Sequence, residues 1–223
     1  NGFNLEGSKP FVNGATLSNW LFLAIKSESG LILAKLEKDQ CDVQFEPTMD
    51  ETKVMGRVDL NGLRVDQSDC MILSEEDLST LTNYGAVAVT AEMVGAAQSL
   101  LDLTSNYTKE RIQFGKPIGQ YQGVKHRLAE MFVDIESFRS LCYFAAWAAD
   151  DSPNELTRAV SLAKGYASDA FAQIGIDGVG LHGAIGFTAE YDAQLYLKRS
   201  KWARPMYGDS NFHLDRLASL GGL

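Results

Sequence analysis

The chain has 223 residues, of which 45% are hydrophobic and 22% are charged, a composition typical of a soluble globular protein with one large or two small domains. The net charge of −9 argues against a general nucleic-acid-binding surface, although a few clustered arginines can still bind an anionic cofactor. No apolar run of membrane-spanning length and no signal peptide are evident, so we expect a cytoplasmic protein that contacts no membrane.

The three cysteines, Cys41, Cys70 and Cys142, are widely spaced and form no CxxC pair, and no Cys/His cluster has metal-ligand spacing. We therefore predict reduced thiols and no metal site. Cys142 falls on an apolar helical stripe, where a small buried side chain is expected.

Residues 1–75 have the pattern of β-structure. Short apolar runs at 20–25 and 31–36 have the length of strands, and the dipeptides at 13–14 and 61–62 (both NG) are typical of tight turns. Because no helical pattern intervenes, the region predicts an antiparallel sheet or a small barrel.

From about Ser74 the apolar spacing becomes helical, and Ser74 followed by three acidic residues predicts a helix start. Two long stripes follow, separated by a stop-and-start signal at 150–153, and two short helices are expected at about 189–201 and 209–219. The stripe residues are Val124, Leu128, Met131, Ile135, Phe138, Cys142 and Ala145 in the first helix, and Leu156, Val160, Ala163, Ala167, Ala170 and Ile174 in the second.

Together these patterns predict an α+β protein. An antiparallel β-domain is expected at 1–75, followed by an antiparallel four-helix bundle at 76–223.

The connection at 107–122 concentrates side chains that suit a ligand. It offers the planar cation of Arg111, the amides of Gln113 and Gln122, and the ring of Phe114 just before a helix start. A guanidinium and helix N–H groups bind phosphate oxygens, so an adjacent aromatic ring predicts a phosphate-bearing ligand with a flat base. The alternative is a polar turn between two helices in which one aromatic residue packs locally.

The run at 110–118 (ERIQFGKPI), followed by Gln122, resembles the C-terminal helical domain of the acyl-CoA dehydrogenase family. Residues 7–14 (GSKPFVNG) look like the start of that family's middle β-domain, so the resemblance covers nearly the whole chain. The remaining matches occur in the family's order: 145–147 (AAW), 163–164 (AK), 181–187 (LHGAIGF), 190–191 (EY) and 207–209 (YGD).

The resemblance implies an FAD-dependent oxidoreductase that acts on an acyl-CoA thioester. In such proteins FAD lies between the β-domain and the helical bundle, and its adenosine end crosses to a neighbouring subunit. The α-carbon of the substrate loses a proton to a carboxylate, and the β-carbon loses a hydride to the flavin. The family's N-terminal helical domain has no counterpart in this sequence, so we expect either a fragment or a natural short chain.

The same resemblance implies a role for each residue of the connection. Arg111 matches the arginine that reaches the pyrophosphate of a partner's FAD, and Phe114 matches the ring beside the adenine. Gln113 and Gln122 are expected to contribute polar groups in the same region.

Four further residues are cofactor-binding candidates by resemblance. Phe11 and Asn13 lie where the β-domain meets the isoalloxazine ring. His182 and Gly183 lie on the loop that passes the pyrophosphate of the partner's flavin. The alternative for His182 is a loop histidine without a role.

The sequence departs from the family at the catalytic base. Tyr207 stands where the usual glutamate precedes a glycine, and Gly85 stands at the position that a second group of members uses. Asp209 is the nearest carboxylate, so it is the candidate catalytic base; the alternative is that it caps the last helix. Gly180 and Ala184 also replace a glutamine and a glycine that the family usually carries.

Three functional hypotheses remain. The first is an FAD-dependent acyl-CoA dehydrogenase similar to divergent bacterial members. The second is a non-catalytic subunit that completes the flavin site of a homologous partner through Arg111 and Phe114. The third is a helical interaction module without a cofactor. For the first two we expect a homodimer or tetramer, with or without a homologous partner subunit; the sequence specifies neither the acyl chain nor the electron acceptor.

Overall fold

The computed structural model describes residues 2–27 and 30–221, and the chain divides into two compact units, one up to Thr80 and one from Leu81 onward. In the first unit, every strand pair among the described residues is antiparallel. The strands are β1 (Gly2–Leu5), β2 (Ser8–Asn13), β3 (Trp20–Ser27), β4 (Gly30–Glu37), β5 (Asp42–Glu46), β6 (Met55–Asp59), β7 (Leu63–Asp66) and β8 (Cys70–Leu73).

These strands form three ladders, β1–β7, β2–β6–β5 and β3–β4–β8, and their inward side chains share one core. Gly14 and Gly62 have positive φ values of 69° and 77°, which only glycine adopts readily, so both NG turns are where the sequence predicted them. The core residues include Leu5, Leu21, Leu36, Val58 and Val65.

The second unit is helical, which confirms the predicted α+β class. A two-stranded hairpin of β9 (Ile112–Gln113) and β10 (Lys116–Pro117) interrupts the helices. The helices are α1 (Glu75–Glu110), α2 (Gln122–Asp151), α3 (Pro153–His182), α4 (Ala193–Ala203) and α5 (Ser210–Leu220).

Local signals explain where the helices begin. The Ser74 hydroxyl accepts from the Asp77 N–H at 3.0 Å, and the Asp77 carboxylate accepts from the Ser74 N–H at 2.9 Å, so the pair forms a capping box at the start of α1. Pro153 occupies the first turn of α3, where its missing N–H has no cost. The short connection between α2 and α3 makes these two helices antiparallel neighbours.

The two predicted stripes form the core of this unit. Met131, Ile135, Phe138, Cys142 and Ala145 are all buried, with Val124 and Leu128 half-buried towards the start of α2. In α3 the stripe is buried apart from Ala170, which is half-buried.

Contrary to our expectation from the sequence, α1 has the length and the apolar composition that a membrane-spanning helix needs. In the most apolar 18-residue stretch of α1, 44% is buried inside the protein. Met93, Ala97 and Leu100 have no more than 1% of their surface exposed, and a side chain at Gly178 of α3 would collide with Leu100. We therefore interpret α1 as a core helix of this unit.

Candidate functional site

The connection between α1 and α2 brings Arg111, Gln113, Phe114 and Gln122 into one exposed segment. The hairpin turns at Phe114 and Gly115, whose φ values of 53° and 81° are both positive, as a two-residue hairpin turn of this kind requires. The Tyr121 hydroxyl donates to the Gln113 carbonyl at 3.0 Å and ties the hairpin to the start of α2.

Phe114 is the least ordinary residue of this segment. Its side chain is 93% exposed, and a bulky residue at positive φ is strained. Exposure and strain together are typical of a residue that is kept for a ligand or partner, because neither contributes to the stability of the fold.

Charge and hydrogen-bond donors occur in the same connection as this ring. Among residues 2–27 and 30–221, the exposed Arg111 guanidinium has no hydrogen-bond or ion-pair partner. Gln122 is the first residue of α2, and the side chain of Tyr121, which precedes it, makes no capping hydrogen bond. The Gln113 amide donates to the Ile112 carbonyl at 2.9 Å, so this side chain is folded onto its own strand.

His182 is not on a loop, as we expected, but is the last residue of α3 and is buried between the rings of Tyr107 and Tyr191. Its Nδ1 donates to the Gly178 carbonyl at 2.7 Å, and within the described residues its Nε2 has no partner. Burial lowers the pKa of His182, partly opposed by this hydrogen bond. Gly183, exposed and at φ 65°, ends the helix.

Phe11 and Asn13 belong to the first unit, in β2. Phe11 has a positive φ of 55°, its side chain is 55% exposed, and the β2–β6 register shifts around it. Asn13 is exposed at the end of the strand, opposite Met55. A bulge of this kind turns a side chain out of its sheet, which makes Phe11 available for contacts.

The structure brings together the two positions at which the sequence lacks a carboxylate. The Tyr207 ring lies directly over Gly85 of α1, so that a Cβ atom at position 85 would be only 2.3 Å from Tyr207 Cε1. Tyr207 has a positive φ of 57°, and its neighbour Gly208 has one of 100°. The absent side chain at Gly85 is therefore what allows the ring to lie there.

Asp209 is the N-cap of α5. Its Oδ1 accepts from the Phe212 N–H at 3.0 Å, the arrangement given above as the alternative to a catalytic role. The residue is half-buried.

Two buried titratable residues hydrogen-bond to the turn at 207–208 and were not among the site residues predicted from the sequence. Lys164 and His213 are both fully buried. Burial lowers the pKa of Lys164 to about 8, although Asp209 opposes the effect. Burial, Lys164 and Arg216 together lower the pKa of His213 to about 4. The signal for Lys164 was its place beside Ala163 and Ala167 on the apolar face of α3. The signal for His213 was its place after Gly208 and Asp209, in a pattern that resembles divergent bacterial members of the family.

Comparison with known proteins identifies the family. The model for "Acyl-CoA dehydrogenase, C-terminal domain" matches residues 77–220. The chain belongs to the acyl-CoA dehydrogenase family. Acyl-CoA dehydrogenase IpdE2 of Mycolicibacterium smegmatis is 34% identical over 179 residues, which are 80% of this chain and 53% of that protein. The chain thus spans about half the length of this curated relative.

Solved structures of acyl-CoA dehydrogenases have the same fold. The Tcur3481-Tcur3483 steroid ACAD aligns with a TM-score of 0.88 and 26% identity over 99% of this chain and 60% of that one. The ChsE4-ChsE5 complex from Mycobacterium tuberculosis aligns with a TM-score of 0.91 and 23% identity over 100% of this chain and 60% of that one.

Acyl-CoA dehydrogenases normally bind FAD, and the α1–α2 connection has the groups that such a dinucleotide needs. An unpaired guanidinium suits a pyrophosphate, an exposed ring suits an adenine, and the N–H groups at the start of α2 suit an anion. The residues present therefore fit the family's cofactor. No group of three or more His, Cys, Asp or Glu side chains in the described ranges could hold a metal ion.

Proposed function

We propose that this chain is a subunit of an FAD-dependent acyl-CoA dehydrogenase that catalyses α,β-dehydrogenation of an acyl-CoA thioester, with the catalytic base supplied by a homologous partner. The observation that carries the proposal is the packing of Tyr207 on Gly85. By the family resemblance, both residues stand where members keep a glutamate, and neither can accept an α-proton.

The reaction sets a clear requirement for the protein. When bound, FAD supplies the acceptor for the β-hydride, and a desolvated carboxylate must take the α-proton. A phenol is already protonated near neutral pH, and Gly85 has no side chain. The carboxylate of Asp209 already accepts the N–H at the start of α5.

The residues of the α1–α2 connection bind and orient the cofactor in this proposal. Arg111 would bind the pyrophosphate, Phe114 would pack against the adenine, and Gln113 and Gln122 would provide polar contacts. A flavin held by a neighbouring subunit would account for the almost complete exposure of Phe114 in the single chain.

The chain's other flavin-facing residues would act at two further places. Phe11 and Asn13 would contact the isoalloxazine ring, while His182 and Gly183 would lie along the pyrophosphate. The strained backbone and the exposed side chain of Phe11 support its part, and the exposed position of Gly183 leaves its backbone accessible.

The assembly is the second part of the proposal. Tyr143 and Trp147 on α2 are 72% and 48% exposed, and Trp147 stacks on Phe144 at 5.9 Å. Aromatic residues are enriched at subunit interfaces, so this face supports a dimer or tetramer. The steroid ACAD, which is 26% identical to this chain, consists of two components, Tcur3481 and Tcur3483. This supports a partner subunit of the same family for the present chain. Light scattering at micromolar concentration should report at least a dimer, and a monomer with flavin present would contradict it.

A gain-of-function variant tests the missing base. In Tyr207→Glu the carboxylate replaces the ring over Gly85. We therefore expect at least one member of a panel of acyl-CoA thioesters to bleach the flavin of this variant, whereas the flavin of the parent protein stays yellow with all of them. Tyr207→Gln is the matched control, since it has the same shape without the charge. Bleaching of the Tyr207→Gln protein as fast as Tyr207→Glu would refute the assignment of position 207.

A second candidate keeps the chemistry within this chain, with Asp209 as the base. It is favoured by the half-buried carboxylate that directly follows Gly208. Asp209→Asn retains an oxygen that can cap α5 but cannot take a proton. If the parent bleaches with an acyl-CoA and Asp209→Asn does not, the base is in this chain; equal bleaching removes Asp209 from the reaction.

A further inference from the structure

Lys164 is a buried ammonium group with all three of its donors in use. Its Nζ donates to the Ser168 hydroxyl at 2.8 Å, to the Arg204 carbonyl at 2.9 Å and to the Gly208 carbonyl at 2.8 Å. The two carbonyls lie on either side of Tyr207. Lys164 therefore ties both ends of the segment between α4 and α5 to the middle of α3.

His213 of α5 holds the same segment through a different carbonyl. Its Nε2 donates to the Tyr207 carbonyl at 3.1 Å, and its Nδ1 accepts from the Ser161 hydroxyl at 3.2 Å. This pattern requires the neutral ring. Gly165 allows the close approach, because a side chain there would come within 3.2 Å of the His213 Cβ.

The held segment is strained. Tyr207 is a non-glycine residue with φ of 57°, and such a conformation persists only where the surroundings impose it. Within residues 204–208, the carbonyls of Arg204, Tyr207 and Gly208 accept hydrogen bonds from two fully buried side chains. These side chains are Lys164 and His213.

We propose that Lys164 and His213 are positioning residues, which hold the turn at 207–208 in its left-handed conformation and thereby keep the Tyr207 ring over Gly85 as a wall of the thioester pocket. Only the last phrase, that the wall faces a thioester, rests on the proposed function. The hold on the turn depends on the hydrogen bonds alone.

The cost of burial supports a role beyond stability. A buried ammonium is expensive to desolvate, and apolar residues of similar size often replace buried charges without loss of stability. The lowered pKa of Lys164, about 8, reflects this cost. Because each of its protons points at a backbone or hydroxyl oxygen, the group specifies the position of the turn.

The position of the ring can be read by fluorine NMR. The protein has eight tyrosines, so incorporation of 3-fluorotyrosine yields eight signals, and Tyr207→Phe identifies the one that matters. We expect Lys164→Met to move this signal towards that of free 3-fluorotyrosine and leave the other seven in place. Lys201→Met, at an exposed lysine of α4, should change none of the eight.

A conservative exchange separates positioning from general packing. His213→Gln keeps a donor for the Tyr207 carbonyl and should retain the signal, whereas His213→Leu should move it. An unchanged Tyr207 signal in folded Lys164→Met or His213→Leu protein would overturn the proposal.

The unaltered protein provides a measurement that does not depend on whether these variants fold. Above a pH of about 8, Lys164 loses one of its three donors, so the backbone amide signals of Gly208 and Asp209 in the 15N-labelled protein should shift with a midpoint near that pH. The amides are used here because the fluorinated phenol would itself ionise in this range. The charged or titratable groups that face Lys164 are Asp209, Arg204, Asp169 and His213. A flat response from pH 7 to 9 would contradict the proposal.

Addition of a panel of acyl-CoA thioesters, one at a time, to the flavin-loaded assembly separates the two claims. A further shift of the Tyr207 signal with any of them supports the thioester pocket. If the variants and the pH series behave as expected but no thioester of the panel has an effect, the hold on the turn stands and the proposed function fails at this position.

Discussion

The burial of His213 predicts a loss of stability in mild acid. Its pKa in the folded protein is about 4, against 6.5 for the free side chain, because burial, Lys164 and Arg216 all disfavour the imidazolium. Between these two values the unfolded chain binds a proton that the folded chain does not. Stability is therefore fully present above pH 6.5 and is lost as pH falls towards 4.

The size of the effect follows from the two pKa values. They differ by about 2.5 pH units, and each unit corresponds to about 1.4 kcal/mol, so the free energy of unfolding is lower by roughly 3–4 kcal/mol once the pH is below both values. The ring is completely buried, so solvent does not screen these interactions.

Urea denaturation followed by circular dichroism measures this loss. The parent protein and His213→Gln are compared between neutral pH and about pH 4.5. The glutamine keeps a donor for the Tyr207 carbonyl but does not titrate. The carboxylates elsewhere in the chain are the same in the two proteins, so their effect on the free energy of unfolding cancels in the comparison. Between neutral pH and the lowest pH, we expect the free energy of unfolding of the parent protein to fall by about 2 kcal/mol or more beyond the fall seen in His213→Gln. Parallel curves would refute the reasoning.

Three further predictions concern single residues. Arg111→Ala should weaken flavin binding by about 1.5–3 kcal/mol, with no change in Arg64→Ala, as measured by flavin fluorescence; equal affinities would remove Arg111 from the site. Phe114→Gly should raise the free energy of unfolding by about 1 kcal/mol, because it relieves a positive φ, while weakening flavin binding; a loss of both would contradict the interpretation. Gly208→Ala should cost about 1–3 kcal/mol in urea denaturation, whereas Gly95→Ala, in open space on α1, should be neutral or stabilising.

Periodic and local features of this fold were predictable from sequence. Met131, Ile135 and Phe138 recur at helical spacing and are buried, and the capping box at Ser74 needs only residues three apart. The class, an antiparallel β-unit before a helical unit, follows from the change in apolar period alone. The α1–α2 connection could be singled out because its residues are adjacent in sequence.

Long-range contacts were beyond the same reasoning. Tyr207 and Gly85 are more than one hundred residues apart, and only the fold places the ring over the glycine. A lysine is expected at the surface, but Lys164 is buried because its three hydrogen bonds satisfy the ammonium group. His182 was expected on a loop because the family resemblance assigned it to one, but α3 includes the histidine itself.

The central claim is that this chain binds flavin but lacks its own base, and anaerobic flavin bleaching tests it most directly. The chain is purified alone and after co-expression with a homologous acyl-CoA dehydrogenase subunit that carries the glutamate, and both are mixed with a panel of acyl-CoA thioesters. We predict that the protein purified alone retains a flavin absorption band that no thioester bleaches, whereas the co-expressed complex bleaches within the mixing experiment. Bleaching by the chain alone would contradict the account.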